Sequence, residues 1–404
     1  MQNSVPPGAL APIDVTALLT DPYGTYARLR EAGPVHRFTG PDGKPAWLVT
    51  RYDDVRRAIN DPRFSLDKSN AVPGNYSGFS LPPALDANLL NMDPPDHTRV
   101  RRLVVKAFTP GRVDKLRAPV RELAGELLDA VEAEGRTDLL ATYAGPLPII
   151  IICDLLGVPR ADRRDFRTWT DALITPDPQR PHLAKEAVVG MMRFFTGLIA
   201  SKRAEPGDDL LSDLIAARDG EGGADRLSEE ELTSLAFLIL FAGYENTVHL
   251  IANAVLALLD HPGLLSELRA DPAGLSAAVD EFIRWDGPAP LAIRRFPLED
   301  VEIGGVTVPA GETVLLSIAS ANRDPRHFPD PERLDPSRER SGHLGLGRGI
   351  HHCLGAPLAR METETALAVL LERFPGLTLD VPREELEWRP SMRARGLISL
   401  PVRW

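Results

Sequence analysis

The sequence predicts a mainly α protein with a minor β-sheet region. Three observations carry this expectation. Apolar residues recur mostly at helical spacing, strand-like runs are few and short, and the 37 prolines are scattered as helix punctuation rather than gathered into linkers. The chain has 404 residues. That is ample for a large core and, by length alone, for two or three domains. No linker, internal repeat or low-complexity tract divides it. The expectation is therefore a single domain over 1–404, with 1–20 as a loosely ordered N-terminal arm.

In chain order, helices are expected over Pro22–Glu31, Tyr52–Asn60, Asp96–Phe108, Gly111–Glu134 and Ser228–Leu259, and from Ala356 to about Arg373. Strands are expected at Ala46–Thr50, around a Gly304-Gly305 hairpin turn within Val301–Val308, at Thr313–Ile318 and in the tail around Leu397–Val402. The segment Phe64–Met92 lacks periodicity and is rich in Pro, Gly, Ser and Asn. A long ordered loop in a compact domain is more often functional than idle.

Bulk properties exclude several function classes. A net charge of −11 argues against a nucleic-acid partner. The first residues have neither the basic start nor the apolar core of a signal peptide. The apolar stretch at 233–259 is long enough to tempt a membrane assignment. Glu245, Asn246, His249 and Asn253 interrupt it, and charge there would be costly in lipid, so a buried helix and no membrane contact are expected. Two cysteines give no disulfide framework and fit a reducing cytoplasm. Cys153, in an apolar run, reads as core.

Cys353 is different. It stands in HLGLGRGIHHCLGAPLAR (343–360), with glycines at 345, 347, 349 and 355 and a helix-forming stretch directly after it. A cysteine just before a helix meets the positive end of its dipole and unpaired backbone N–H groups, which favour the thiolate. Glycines let a flat cofactor approach the backbone. A thiolate so presented is a good axial ligand for haem iron, although a lone cysteine is more often a buried, inert residue.

This run resembles the haem-binding loop of the cytochromes P450, whose pattern is F-x-x-G-x-x-x-C-x-G. Leu346, Gly349, Cys353, Gly355 and Leu358-Ala359-Arg360 match it, with Leu346 in place of the family's usual aromatic. The resemblance runs from about Asp21 to Arg403 and is closest to the soluble bacterial type. It implies the P450 fold, a triangular, mostly α domain with haem b between a long central helix and the Cys-loop helix. It also implies a monomeric monooxygenase using dioxygen, with Cys353 on the iron and Leu346, Gly347 and Gly355 around the cofactor.

By the same resemblance, His97, Arg101, Arg295 and His351 bind the haem propionates. Arg295 is preferred to Arg294 on its spacing to Asp300. Glu281 and Arg284 in DEFIR form a structural lock with Arg333. Ala242 and Gly243 leave room for dioxygen. Glu245 is either a structural partner or a proton relay. The family's usual acid-then-Thr pair is here Glu245-Asn246, with Thr247 one place on. Adjacent helical residues point about 100° apart, so Thr247 cannot simply stand in for the missing hydroxyl. Asn246 can still donate a hydrogen bond or hold a water.

No flavin or dinucleotide fingerprint is present, so electrons must come from another protein. Residues 97–117 hold seven basic side chains against the single acid Asp114. Arg99, Arg102, Lys106 and Arg112, with Arg348, are the expected docking patch for an acidic ferredoxin, itself served by an NAD(P)H-dependent ferredoxin reductase. Family position places Phe79, Leu89, Phe237, Phe241, Ala289, Leu291 and Met392 around an apolar pocket for a natural product, macrolide, steroid or terpene. Hydroxylation is the first expectation. Oxidative coupling or desaturation on a natural-product scaffold is the alternative, and a non-enzymatic haem-binding sensor a third.

Overall fold

The structure is a computed structural model that describes residues 13–40, 42–76, 81–105, 108–174, 180, 182–219, 226–338 and 342–404. Its centre is the helix Glu229–Asp260, 32 residues long. Ser228 opens it with a capping box: its hydroxyl accepts the Glu231 N–H while the Glu231 carboxylate accepts the Ser228 N–H. Glu229–Asp260 is long and apolar enough to cross a membrane, yet most of it is buried within the protein. The helices Pro146–Leu155, Leu275–Asp286, His182–Ala204 and Ala356–Arg373 pack around it.

Ala356–Arg373 lies in turn against Pro110–Asp129. This shared interior is the principal core, with Leu147, Leu235, Leu240, Ile251, Leu367 and Leu370 all sealed from solvent. Each fully buried side chain of this size contributes about 1.5–3 kcal/mol relative to leaving it exposed. Tyr143 crosses the core to donate its hydroxyl proton to the Ala366 carbonyl at 2.8 Å.

The sheets are small. Val35–Thr39 pairs antiparallel with Pro45–Val49, which pairs parallel with Val314–Leu316. Pro401–Arg403 lies between Arg136–Asp138 and Thr378–Leu379. Val301–Ile303 and Val306–Val308 form the expected hairpin, whose turn requires positive φ at Gly304 (57°) and Gly305 (85°).

Several boundaries differ from expectation. Val15–Thr20 is a helix rather than part of a loose arm. The Asp14 carboxylate caps it by accepting the Thr16 and Ala17 N–H groups, and Leu18 is buried against Tyr26, Phe38 and Leu48. The helix expected to reach Phe108 runs Asp96–Val105, and the one expected to Glu134 runs Pro110–Asp129. The tail strand begins at Pro401. Within 64–92, Phe64–Ser65 pairs with Phe296–Pro297, and the short helix Pro83–Asp86 packs on the central helix with Leu85 and Leu89 buried. Phe79 and Lys106 lie outside the described residues.

Candidate haem-thiolate site

Cys353 stands three residues before the first turn of Ala356–Arg373. Its loop is held by short local bonds: the Cys353 N–H donates to the Leu346 carbonyl at 2.8 Å, and the Gly347 N–H to Leu344 at 2.8 Å. Gly347 adopts φ 69°, and a Cβ there would sit 3.0 Å from the His351 carbonyl oxygen. Leu346, Gly347 and Gly355 are half-buried, whereas Cys353 itself is exposed. Loss of hydration pushes the thiol upward. The Gly355 N–H and the positive charges of Arg101 and Arg360 pull the other way.

A cluster of cationic side chains surrounds the same loop. The imidazole rings of His97 and His351 lie 4.1 Å apart. His97 is almost wholly buried, and neither of its ring nitrogens has a hydrogen-bond partner. The Arg101 guanidinium donates to the His352 carbonyl at 2.7 Å. Arg295 is 2% exposed, and its guanidinium bonds only to backbone carbonyls, with Ile293 at 2.8 Å. Burial and mutual repulsion act together on this group. His351 is pushed down to about 3 by burial and then by His97, Arg295 and Arg101. His97 is pushed down to about 4 by burial and Arg101, and Arg295 to about 10 by burial.

Two arginines and two imidazoles that burial holds neutral, all able to donate hydrogen bonds, fit an anionic ligand with more than one carboxylate. The residues present thus suit a haem and its two propionates. Arg294 is used elsewhere: it bonds Asn91 Oδ1 at 2.7 Å and covers the Tyr76 ring.

The central helix presents its small residues unevenly. Ala242 and Asn246, one turn apart, are exposed in a helix whose neighbouring positions are largely buried, so they mark one open face. One expectation is corrected here. Gly243 does not open space for a gas: it faces Ile152, whose Cδ1 would lie 3.0 Å from an added Cβ, so its smallness serves helix packing. Thr247 is buried, and its hydroxyl returns a hydrogen bond to the Gly243 carbonyl at 3.3 Å. The helix runs unbroken through this region. Glu245 is half-buried and lies 3.6 Å from His249.

The lock differs from expectation in one member. Arg284 makes two 2.7 Å hydrogen bonds to Glu281 and spends its remaining donors on the carbonyls of Asn322, Pro331 and Arg333. Arg333 contributes that carbonyl, while its side chain is 72% exposed. The arginine that reaches Glu281 is Arg338, at 3.5 Å and largely buried. The sequence reading missed Arg338 because spacing within DPERLDPSR does not reveal which arginine turns inward.

The expected docking patch is also thinned by tertiary contacts. Arg99 pairs with Glu231 at 2.5 Å and with Asp96, Arg112 with Asp213, and Arg117 with Glu364 at 3.2 Å. Arg102 and Arg348 are exposed. Of the expected pocket residues, Leu89 and Phe237 are buried in the main core. Phe241 packs 5.3 Å from the Phe237 ring, Leu291 and Met392 lie against the Leu18 cluster, and Ala289 is half-buried.

The sequence profile described as Cytochrome P450 matches residues 150–272 and 274–397. The chain is 49% identical over 386 residues to the cytochrome P450 monooxygenase PikC of Streptomyces venezuelae, covering 95% of this chain and 91% of that one. It is 44% identical to the 6-deoxyerythronolide B hydroxylase of Saccharopolyspora erythraea, over 95% and 96% of the two chains. Among solved structures, the tirandamycin C-bound P450 monooxygenase TamI superposes with a TM-score of 0.88 at 43% identity, over 97% of this chain and 99% of that one.

Proposed function

From the premise that this chain belongs to the cytochrome P450 family and is a P450 monooxygenase, we propose that it is a cytoplasmic, monomeric, single-domain enzyme that hydroxylates an apolar macrolide-type natural product. Haem b would be held by Cys353 through iron and by His97, Arg101, Arg295 and His351 through its propionates. When bound, haem supplies the activation of dioxygen for insertion into a C–H bond.

The protein's residues do the rest. The cation cluster orients the cofactor by its carboxylates. The open face of Ala242 and Asn246 leaves room above it, and the Asn246 amide offers a donor and an acceptor where the family usually has a hydroxyl. Glu245 carries protons toward that face. Glu281, Arg284 and Arg338 fix the segment behind the Cys loop.

The observation that carries this reading is the cluster of His97, Arg101, Arg295 and His351 beside Cys353, in which both ring nitrogens of His97 are buried without a hydrogen-bond partner. Relatives named as a P450 monooxygenase, a 6-deoxyerythronolide B hydroxylase and a mycinamicin IV hydroxylase/epoxidase support the substrate class. Electrons would come from a ferredoxin and its reductase, docking near Arg102 and Arg348. The test is the absorption difference spectrum of the reduced protein with and without carbon monoxide. A red-shifted Soret band that disappears in Cys353→Ser is expected. A band at the same position in Cys353→Ser would refute the assignment of the ligand.

A further inference from the structure

The central helix carries a second polar feature. Glu245, His249 and Asn253 lie at i, i+4 and i+8 and so form one row along an otherwise apolar helix. His249 is 1% exposed and Asn253 4%. Glu245 Oε1, both ring nitrogens of His249 and Asn253 Oδ1 are buried with no hydrogen-bond partner. Buried polar atoms left open in this way are rare and costly, and a row of them on one helix face asks for a use.

The packing maintains the row. An added Cβ at Gly396 would lie 2.1 Å from His249 Nδ1, so the imidazole occupies space that only glycine leaves there. At the far end, the Asn253 amide donates to the carbonyls of Asp286 (3.1 Å) and Arg395 (3.0 Å). The Asp286 carboxylate accepts from Arg395 Nε at 3.1 Å and from the Tyr23 hydroxyl, and Arg323 stacks 3.5 Å over the Tyr23 ring. Tyr23 and Arg395 are both partly exposed. The row thus runs from Glu245 toward a polar cluster in which Tyr23 and Arg395 are partly exposed.

We infer that His249 is a relay residue for Glu245, positioned to return a proton to its carboxylate after Glu245 has released one toward the Asn246 face. This rests on the reading of Glu245 as a proton carrier. The step moves one proton and no electrons. The protonated Glu245 carboxyl gives up its proton and becomes a carboxylate. The His249 imidazolium transfers its Nε2 proton to that carboxylate and becomes neutral, then recovers a proton from solvent. The His249 Nε2 to Glu245 Oε1 separation is 3.6 Å. A small rotation of the flexible Glu245 side chain closes it to a hydrogen bond.

The test uses the holoenzyme with two readouts. One is the fraction of electrons lost as peroxide, the other the solvent isotope effect on turnover. In His249→Gln and His249→Phe, the fraction of electrons lost as peroxide is expected to rise several-fold and the solvent isotope effect on turnover to increase. The carbon monoxide spectrum is expected to stay unchanged. Full coupling in His249→Gln alongside a loss in Glu245→Gln would overturn this inference alone, since glutamine fills the site and bonds but does not relay. Unchanged coupling in Glu245→Gln would overturn the proton-carrier reading of Glu245 and the relay with it.

Discussion

Two groups of buried ionisable side chains stand in this protein, and they are built in opposite ways. At Glu281 and Arg284, both side chains are about 5% exposed or less and every strong donor is used: two carboxylate bonds and three backbone carbonyls. At His97, Arg295 and His351 the groups are also withdrawn from water, yet among the described residues no carboxylate hydrogen-bonds to any of them, and Asp93 acts on His97 and Arg295 only through its charge. Burial costs both sites desolvation energy. The first recovers more of it from within the chain. The paired site is therefore complete without a ligand, whereas the second suits an anionic one.

The largest expected effect follows from breaking the complete site. Glu281→Ala leaves Arg284 buried and unpaired and is expected to cost about 3–5 kcal/mol, as is Arg284→Ala. Thermal unfolding should show a fall in Tm of many degrees and the purified protein should lack haem. Normal Tm and haem content in both variants would erase the distinction between the two sites. Arg333→Ala, by contrast, removes an exposed side chain and is expected to shift stability by less than about 0.5 kcal/mol.

Arg295 sharpens the comparison because its sign reverses with occupancy. In haem-free protein, Arg295→Met removes a buried cation that no carboxylate hydrogen-bonds and is expected to raise stability by about 1 kcal/mol. In the loaded protein the same change removes a propionate partner and should speed haem loss. Denaturant unfolding of the two forms and haem transfer to apomyoglobin would measure both. Destabilisation of the haem-free form would mean that Arg295 is satisfied as it stands.

A third buried charge tests whether burial alone creates pH sensitivity. Glu362, on Ala356–Arg373, is 2% exposed, and burial holds its carboxyl well above the usual carboxylate range. The folded state then keeps a proton that the unfolded state releases. Its contribution to stability is full below the unfolded carboxylate range and is lost as pH rises through the folded value. Glu362→Gln is expected to raise Tm at pH 8 more than at pH 5. Equal shifts at both would contradict the buried, protonated state.

The smallest effects lie on the surface. Arg102→Glu and Arg348→Glu should slow reduction by an acidic ferredoxin several-fold at low salt and little at high salt, with stability within about 0.5 kcal/mol of the parent. Arg112→Glu, which meets Asp213, is expected to affect stability more than reduction. Stopped-flow reduction at two ionic strengths would separate them.

Much of this was legible in the sequence. Apolar spacing is a local property of the chain, and it marked the central helix, the Cys-loop helix and the Gly304-Gly305 hairpin. Cys353 with its glycines marked the candidate cofactor loop, since close backbone approach and positive φ at Gly347 leave a trace in residue type. Partner identity leaves no such trace. Only the fold turned Arg338 inward and Arg333 outward, gave Arg99 to Glu231, set Gly243 against Ile152 and folded Thr247 back onto its own helix. Charge and hydroxyl chemistry act over a few ångströms in space. Which groups come that close is decided by long-range packing, which residue spacing along the chain does not encode.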